Sequence, residues 1–130
     1  MTQRALLDHL VFTVRGIVAS SDLYRSALGK EALTFAEGRK APAFGRQKID
    51  LQEYGKEFEP RANTPKPGPA DLCFARTESL DAAINHLEPL GVEICEGLVD
   101  RVGAMGSTRS VYIHDPDMKP VESSGYPEFS

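Results

Sequence analysis

Hydrophobic and polar positions alternate from Leu7 to Val14. Leu10, Phe12 and Val14 fall on one side with Asp8, and His9, Val11 and Thr13 fall on the other. This period of two, in a stretch rich in Leu, Val, Phe and Thr, predicts a half-buried strand over residues 6–14. Its second face is mildly polar without being charged, which suits a concave binding surface. Arg15-Gly16 breaks the strand. Leu23, Tyr24, Ala27 and Leu28 then recur at helical spacing, with Ala19 or Ser20 as the expected cap and Gly29 as the stop. Three short strands are predicted next, over 32–36, 40–45 and 48–54, with hairpin turns at 37–39 and 45–47. Pro42 cannot donate to a ladder, so its strand is expected at a sheet edge or with a bulge.

Residues 55–69 change character. Pro65, Pro67 and Pro69, with few apolar neighbours, mark a linker loop between a first module, 6–54, and a second, 70–124. The second module repeats the order of the first. A strand over 71–75 leads to a helix over 79–90, whose stripe of Leu80, Ala83, Ile84, Leu87 and Leu90 has a 3.6-residue period. Pro89 weakens its last turn and Gly91 stops it. Val92–Ile94 reads as a strand, and Arg101, Gly103 and Gly106 read as a mobile loop over 100–109. Ser110–His114 is a strand, Asp115-Pro116-Asp117 a tight turn, and Val121–Ser124 the last strand. The order βαβββ therefore occurs twice within one α+β domain spanning 1–130.

The repeat pairs polar residues. His9 and Asp71 occupy corresponding places, and Ile49-Asp50-Leu51 aligns with Val121-Glu122-Ser123, so Asp50 matches Glu122. If the modules pack about a pseudo-twofold axis, four nitrogen or oxygen ligands converge near it. A mixed histidine and carboxylate set suits Zn²⁺, Ni²⁺, Co²⁺, Mn²⁺ or Fe²⁺ without choosing among them. Each residue also has a structural reading. Asp71 suits a turn or cap, Asp50 and Glu122 suit the solvent side of an amphipathic strand, and His9 suits a hydrogen-bonded core position. His86 falls off the apolar stripe of its helix, and His114 precedes a turn. The basic set Arg39, Lys40, Arg46 and Lys48 suits either an anionic substrate or protection of strand edges.

A chain of 130 residues buries about two-thirds of its unfolded surface, enough for a core without staples. The net charge of −4 argues against a nucleic-acid partner, because a phosphate backbone rewards clustered positive charge. No apolar run reaches the ~18–20 residues of a membrane span, and the N-terminus lacks a signal-peptide core. Cys73 and Cys95 form no CxxC pair and are expected as small, buried, reduced thiols, which fits a cytoplasmic protein. No P-loop, GxSxG or zinc-finger spacing is present.

Several segments carry a resemblance: Leu7–Val14, Tyr24 with Leu28-Gly29, Thr34-Phe35, Gly38-Arg39-Lys40-Ala41, Phe44-Gly45 and Gln47-Lys48-Ile49. It continues through Gly55-Lys56-Glu57-Phe58-Glu59-Pro60, Asp71-Leu72-Cys73, Glu96-Gly97 and Asp115-Pro116-Asp117. The chain resembles the vicinal oxygen chelate superfamily of glyoxalase I, fosfomycin-resistance proteins, extradiol dioxygenases and bleomycin-resistance proteins. Within it, the sequence is most similar to glyoxalase domain-containing protein 5 and the bacterial virulence-associated group.

The resemblance implies paired βαβββ modules forming an open, U-shaped barrel of mixed sheet, with a divalent transition metal in the cleft, and a homodimer. It makes His9 the first metal ligand and Glu122 the last. Asp71 stands where glyoxalase I and fosfomycin-resistance proteins carry histidine. Asp50 stands at the glyoxalase I carboxylate position, and Gln52 where close relatives often have histidine. The implied function is a lactoylglutathione lyase-like metalloenzyme acting on a small α-oxygenated carbonyl compound or its thiol adduct. There Glu122 or Asp50 serves as general base. Two alternatives stand beside it: a thiol transferase of the fosfomycin-resistance kind, and a metal-free binding module of the bleomycin-resistance kind. An extradiol dioxygenase fits less well, because only His9 of the three histidines lies at a repeat position.

Overall fold

The computed structural model describes residues 7–29, 32–35 and 39–126. The chain divides into two compact units between Gly68 and Pro69. In the first, strand β1 (His9–Val14) is followed by helix α1 (Ile17–Leu28) and strands β2 (Ala32–Phe35), β3 (Arg39–Phe44) and β4 (Gln47–Glu53). In the second, β5 (Leu72–Ala75) is followed by α2 (Leu80–Leu87), a 3₁₀ turn (Glu88–Leu90), β6 (Glu96–Gly103), β7 (Gly106–His114) and β8 (Pro120–Gly125). The four-stranded sheets have orders β1-β4-β3-β2 and β5-β8-β7-β6. Each places its first strand parallel to its last, with the other ladders antiparallel. The α+β class and the doubled βαβββ order expected from the sequence are both present.

In the first unit the apolar face of β1 and β4 buries Phe12, Val14, Ile49 and Leu51 together with Tyr24 and Ala27 of α1. Each such large side chain contributes about 1.5–3 kcal/mol by leaving water. The Tyr24 ring meets Phe44 edge-on, with centroids 6.5 Å apart. The helix begins earlier than the sequence suggested. Gly16, not Ala19 or Ser20, is its N-cap, and Ser20 lies buried in the first turn, donating its N–H to the Gly16 carbonyl. Gly29 closes it in the left-handed conformation, as expected. The turn expected at 37–39 lies partly outside the described residues.

Pro42 corrects the expectation of an edge strand or a bulge, because β3 runs between β2 and β4 and its register with β4 is the same on both sides of Pro42. The pairing of β3 with β4 joins Lys40 to Leu51 and Ala43 to Lys48, stepping over Ala41 and Pro42. An interior ladder thus accommodates a residue with no N–H by leaving that rung unmade.

The second unit buries Leu80, Ala83 and Leu87 of α2, and Val111, Ile113 and Val121 of its sheet. Ser79 caps α2 by accepting the N–H of Ala82. Two expectations fail here. Val92–Ile94 is not a strand, and residues 100–109 are not a loop. They form the long β6–β7 hairpin, in which Gly103 pairs with Gly106 around Ala104-Met105. The glycines mark the ends of a two-residue turn rather than an irregular segment. Gly103 also faces Tyr126, whose hydroxyl would lie 2.5 Å from any added Cβ.

The turn from β7 to β8 is a buried ion cluster. Asp115 Oδ1 accepts the N–H groups of Asp117 and Lys119, both at 2.9 Å. Lys119 Nζ lies 3.0 Å from Asp115 Oδ2 and 3.6 Å from Asp117 Oδ2, and all three residues are buried. Among the described residues no helix is long and apolar enough to cross a membrane.

Candidate functional site

The two parallel ladders set the candidate residues in equivalent positions. Leu10 pairs with Ile49 in the first unit, and Leu72 pairs with Val121 in the second. Superposing these rungs matches Asp50 to Glu122 and His9 to Asp71, the correspondence read from the sequence. Side chains alternate along a strand, so both carboxylates point away from the apolar faces carrying Ile49 and Val121.

In the first unit His9, Asp50 and Gln52 share one sheet face with Val11, Thr13 and Lys48. His9 Nδ1 lies 2.9 Å from Asp8 Oδ2. In the neutral ring this contact puts the hydrogen on Nδ1, the donor to Asp8, and leaves Nε2 as the acceptor. Nε2 is 4.0 Å from Asp50 Oδ2. The other oxygen, Oδ1, lies 3.0 Å from Lys48 Nζ. Gln52 is buried two residues further along β4.

In the second unit Glu122 pairs with Cys73 on one side and Tyr112 on the other, while Ser124 pairs with Ser110. The Glu122 carboxylate gathers hydroxyls. Ser110 donates to Oε2 at 2.6 Å, Ser124 to Oε2 at 2.8 Å, and Tyr112 to Oε1 at 2.9 Å. Ser110 and Ser124 also touch at 2.7 Å, so two hydroxyl protons serve three short contacts. The network continues outward: Cys73 Sγ lies 3.0 Å from Ser124 Oγ, and Arg101 Nε donates to the Tyr112 oxygen at 3.0 Å.

Burial pushes the Glu122 carboxyl up, but the three hydroxyl donors and the Arg101 charge outweigh it and hold it below the usual carboxylate range. Glu122 is therefore an anion at neutral pH. Tyr112 moves the opposite way. Its bond from Arg101 favours the phenolate, yet burial and the neighbouring carboxylate prevail and raise it. Although Cys73 is exposed as a residue, partial burial of its thiol, with Glu122 adding to it, likewise raises it. Both groups stay protonated and serve as donors. Three of the roughly four acceptor positions on Glu122 are taken, leaving about one on Oε1.

Asp71 lies exposed just before β5. Within either unit, no three histidine, cysteine, aspartate or glutamate side chains among the described residues group closely enough to hold a metal ion. The sequence reading missed Asp8 as the partner of His9, and Ser110, Tyr112 and Ser124 as the cradle of Glu122. Its signal was present, since Ser110, Tyr112 and His114 alternate with the apolar Val111 and Ile113. Both cysteines are free and exposed, not buried as expected.

A repeated βαβββ unit with a polar face on each parallel ladder is the architecture of the glyoxalase-like fold, and an Agrobacterium tumefaciens lactoylglutathione lyase shares it at a TM-score of 0.71 and 20% identity, over 95% of this chain and 96% of that one. The chain belongs to the glyoxalase-domain family of the vicinal oxygen chelate superfamily. It is 46% identical over 120 residues to the glyoxalase domain-containing protein RDO1 of Mycosarcoma maydis, covering 92% of this chain and 68% of that one. It is 44% identical over 120 residues to the virulence protein STM3117 of Salmonella typhimurium, covering 92% and 83%. An integron cassette protein from the V. cholerae mobile metagenome matches with a TM-score of 0.93 and 44% identity, over 97% of this chain and 98% of that structure. No protein-family model matches the chain.

Proposed function

We propose that the chain is a glyoxalase-like enzyme that holds a divalent transition metal and acts on a small α-oxygenated carbonyl compound or its thiol adduct. The observation that carries this reading is the Asp8–His9 pair. Metal-binding histidines donate their second ring N–H to a carboxylate, which fixes the tautomer and raises the basicity of the other nitrogen. Here Asp8 Oδ2 accepts the hydrogen bond of the Nδ1–H, and Nε2 looks toward Asp50 Oδ2 at 4.0 Å. The donor chemistry fits the ion: an imidazole, and carboxylates of which Glu122 is held ionised with an acceptor position to spare.

The proposed ligands are His9, Asp50 and Gln52 on the first ladder, and Asp71 and Glu122 stand at the positions equivalent to His9 and Asp50 on the second. Ni²⁺, Zn²⁺, Co²⁺, Mn²⁺ and Fe²⁺ all accept such a set. When bound, the metal supplies Lewis-acid polarisation of two neighbouring substrate oxygens. The side chains supply the rest. Ser110, Ser124 and Tyr112 fix the Glu122 carboxylate and keep it anionic. Asp50 Oδ2 receives none of these hydroxyl donors and is the better-placed proton acceptor for transfer between adjacent substrate carbons. Lys48 steadies the negative charge of Asp50 in its resting state. Val11, half exposed beside them on the same face, offers the substrate an apolar wall. The family resemblance supports a homodimer with a small-molecule substrate, and the free cysteines suit the reducing cytoplasm.

The test is the metal content of the purified protein and of its His9→Ala and Glu122→Ala variants. Near-stoichiometric transition metal in the parent, lost in both variants, is the expected result. Absence of metal after incubation with Ni²⁺, Mn²⁺, Zn²⁺ and Co²⁺ would overturn the metalloenzyme reading in favour of a binding module. With metal bound, isomerisation of hemithioacetals against thiol transfer to an epoxide separates the lyase from the transferase.

A further inference from the structure

The two cysteines sit in different chemical company. The Cys73 thiol is hydrogen-bonded to the hydroxyl of Ser124, a negligible base, at 3.0 Å. The Cys95 sulfur lies 2.9 Å from Nδ1 of His114. Cys95 is exposed, and its backbone is fixed just before β6 by donating its N–H to the Tyr112 carbonyl at 2.8 Å. His114 ends β7 two residues after Tyr112, so its ring projects from the same side of that strand as Tyr112. A thiol and an imidazole at this separation have the geometry of a nucleophile with its base.

We propose that Cys95 and His114 form a reactive thiol site whose partner is a small peroxide, independent of the metal reading above. With the ring in its Nε2–H form, His114 Nδ1 takes the Cys95 proton as Sγ attacks one peroxide oxygen. The S–O bond forms and the O–O bond breaks. The departing hydroxide takes the proton back from His114 and leaves as water. Sulfur gives up two electrons, the peroxide gains them, and the product is the Cys95 sulfenic acid with a neutral imidazole. One histidine thus serves both halves of the step, removing the proton that hampers the nucleophile and delivering it to the leaving group. Cys73 has no such partner and provides a reference thiol within the same molecule.

The intact chain is treated with hydrogen peroxide in the presence of a cyclic 1,3-dione that traps sulfenic acids, and adducts at each cysteine are followed by peptide mass spectrometry. Cys95 is expected to react roughly tenfold or more faster than Cys73. His114→Gln is expected to slow Cys95 by a similar factor while leaving Cys73 unchanged. Circular dichroism and thermal unfolding of that variant establish that it is folded, and Cys95→Ser, which must abolish the fast adduct, identifies the site without touching His114. Equal rates at the two cysteines, or a Cys95 rate in folded His114→Gln equal to that of the parent, overturns the proposal.

Discussion

Tyr112 and Glu122 face one another across β7 and β8, and the phenol donates to the carboxylate at 2.9 Å while Arg101 donates to the phenol from behind. The pair shows how a carboxylate in a partly buried sheet stays charged: its partners are neutral hydroxyls, and the positive charge stands one bond further out.

Tyr112→Phe removes one of three donors to Glu122. A hydrogen bond to a charged group contributes about 1.5–3 kcal/mol, and part of this is recovered by water at a half-exposed site, so a loss of roughly 1–2 kcal/mol at pH 7 is expected. The pH dependence follows from the depressed carboxyl. Its stabilisation is present above the unfolded pKa of about 4.3 and fades as pH falls through the lower folded value. The gap between parent and variant in urea unfolding should therefore be wide at pH 7 and narrow near pH 3. A gap independent of pH contradicts the assignment.

Lys119→Met leaves Asp115 and Asp117 buried without their cation. Breaking a buried pair from one side costs about 3–5 kcal/mol, far more than an exposed pair would. A fall in thermal midpoint of many degrees is expected. A variant within about 1 kcal/mol of the parent would show that the cluster is solvated in solution.

Gly125→Ala places a methyl 2.5 Å from Nη2 and 2.9 Å from Cζ of Arg76. The guanidinium is buried and tied to the Ser123 carbonyl at 2.7 Å, so it cannot swing clear without losing that bond. The expected cost is about 1–3 kcal/mol, as for other overpacked sites. In the background of Arg76→Ala the same substitution should cost much less. A double-mutant cycle with no coupling would separate the two residues.

Asp8→Ala tests the proposed metal site without removing a ligand. Loss of an outer partner of a ligating histidine lowers metal affinity by about 10–100-fold. Competition against a chromophoric chelator measures this directly, and an affinity equal to the parent's would detach Asp8 from any metal role.

Much of the backbone was legible in the sequence, and the reason is periodicity. The alternation around His9–Val14 and the stripe of Leu80, Ala83 and Leu87 each bury one face, and the doubled order exposed Asp50 and Glu122 as counterparts. What escaped depended on pairing. Gly103 and Gly106 look like loop residues until their strands are seen to meet across them, and Pro42 looks like an edge residue until a rung is seen to be skipped. The hydroxyl cradle escaped for the same reason. Serine and tyrosine carry no charge to draw notice, and Ser110, Tyr112 and Ser124 gain meaning only when the ladder brings them to Glu122.

The two units carry the same backbone ladder with different charge around its equivalent carboxylates. Asp50 is met by an ammonium group 3.0 Å away, whereas Glu122 is met by alcohols and a phenol. The equivalent rung of the two ladders thus carries an ion pair in one unit and a hydroxyl-solvated anion in the other.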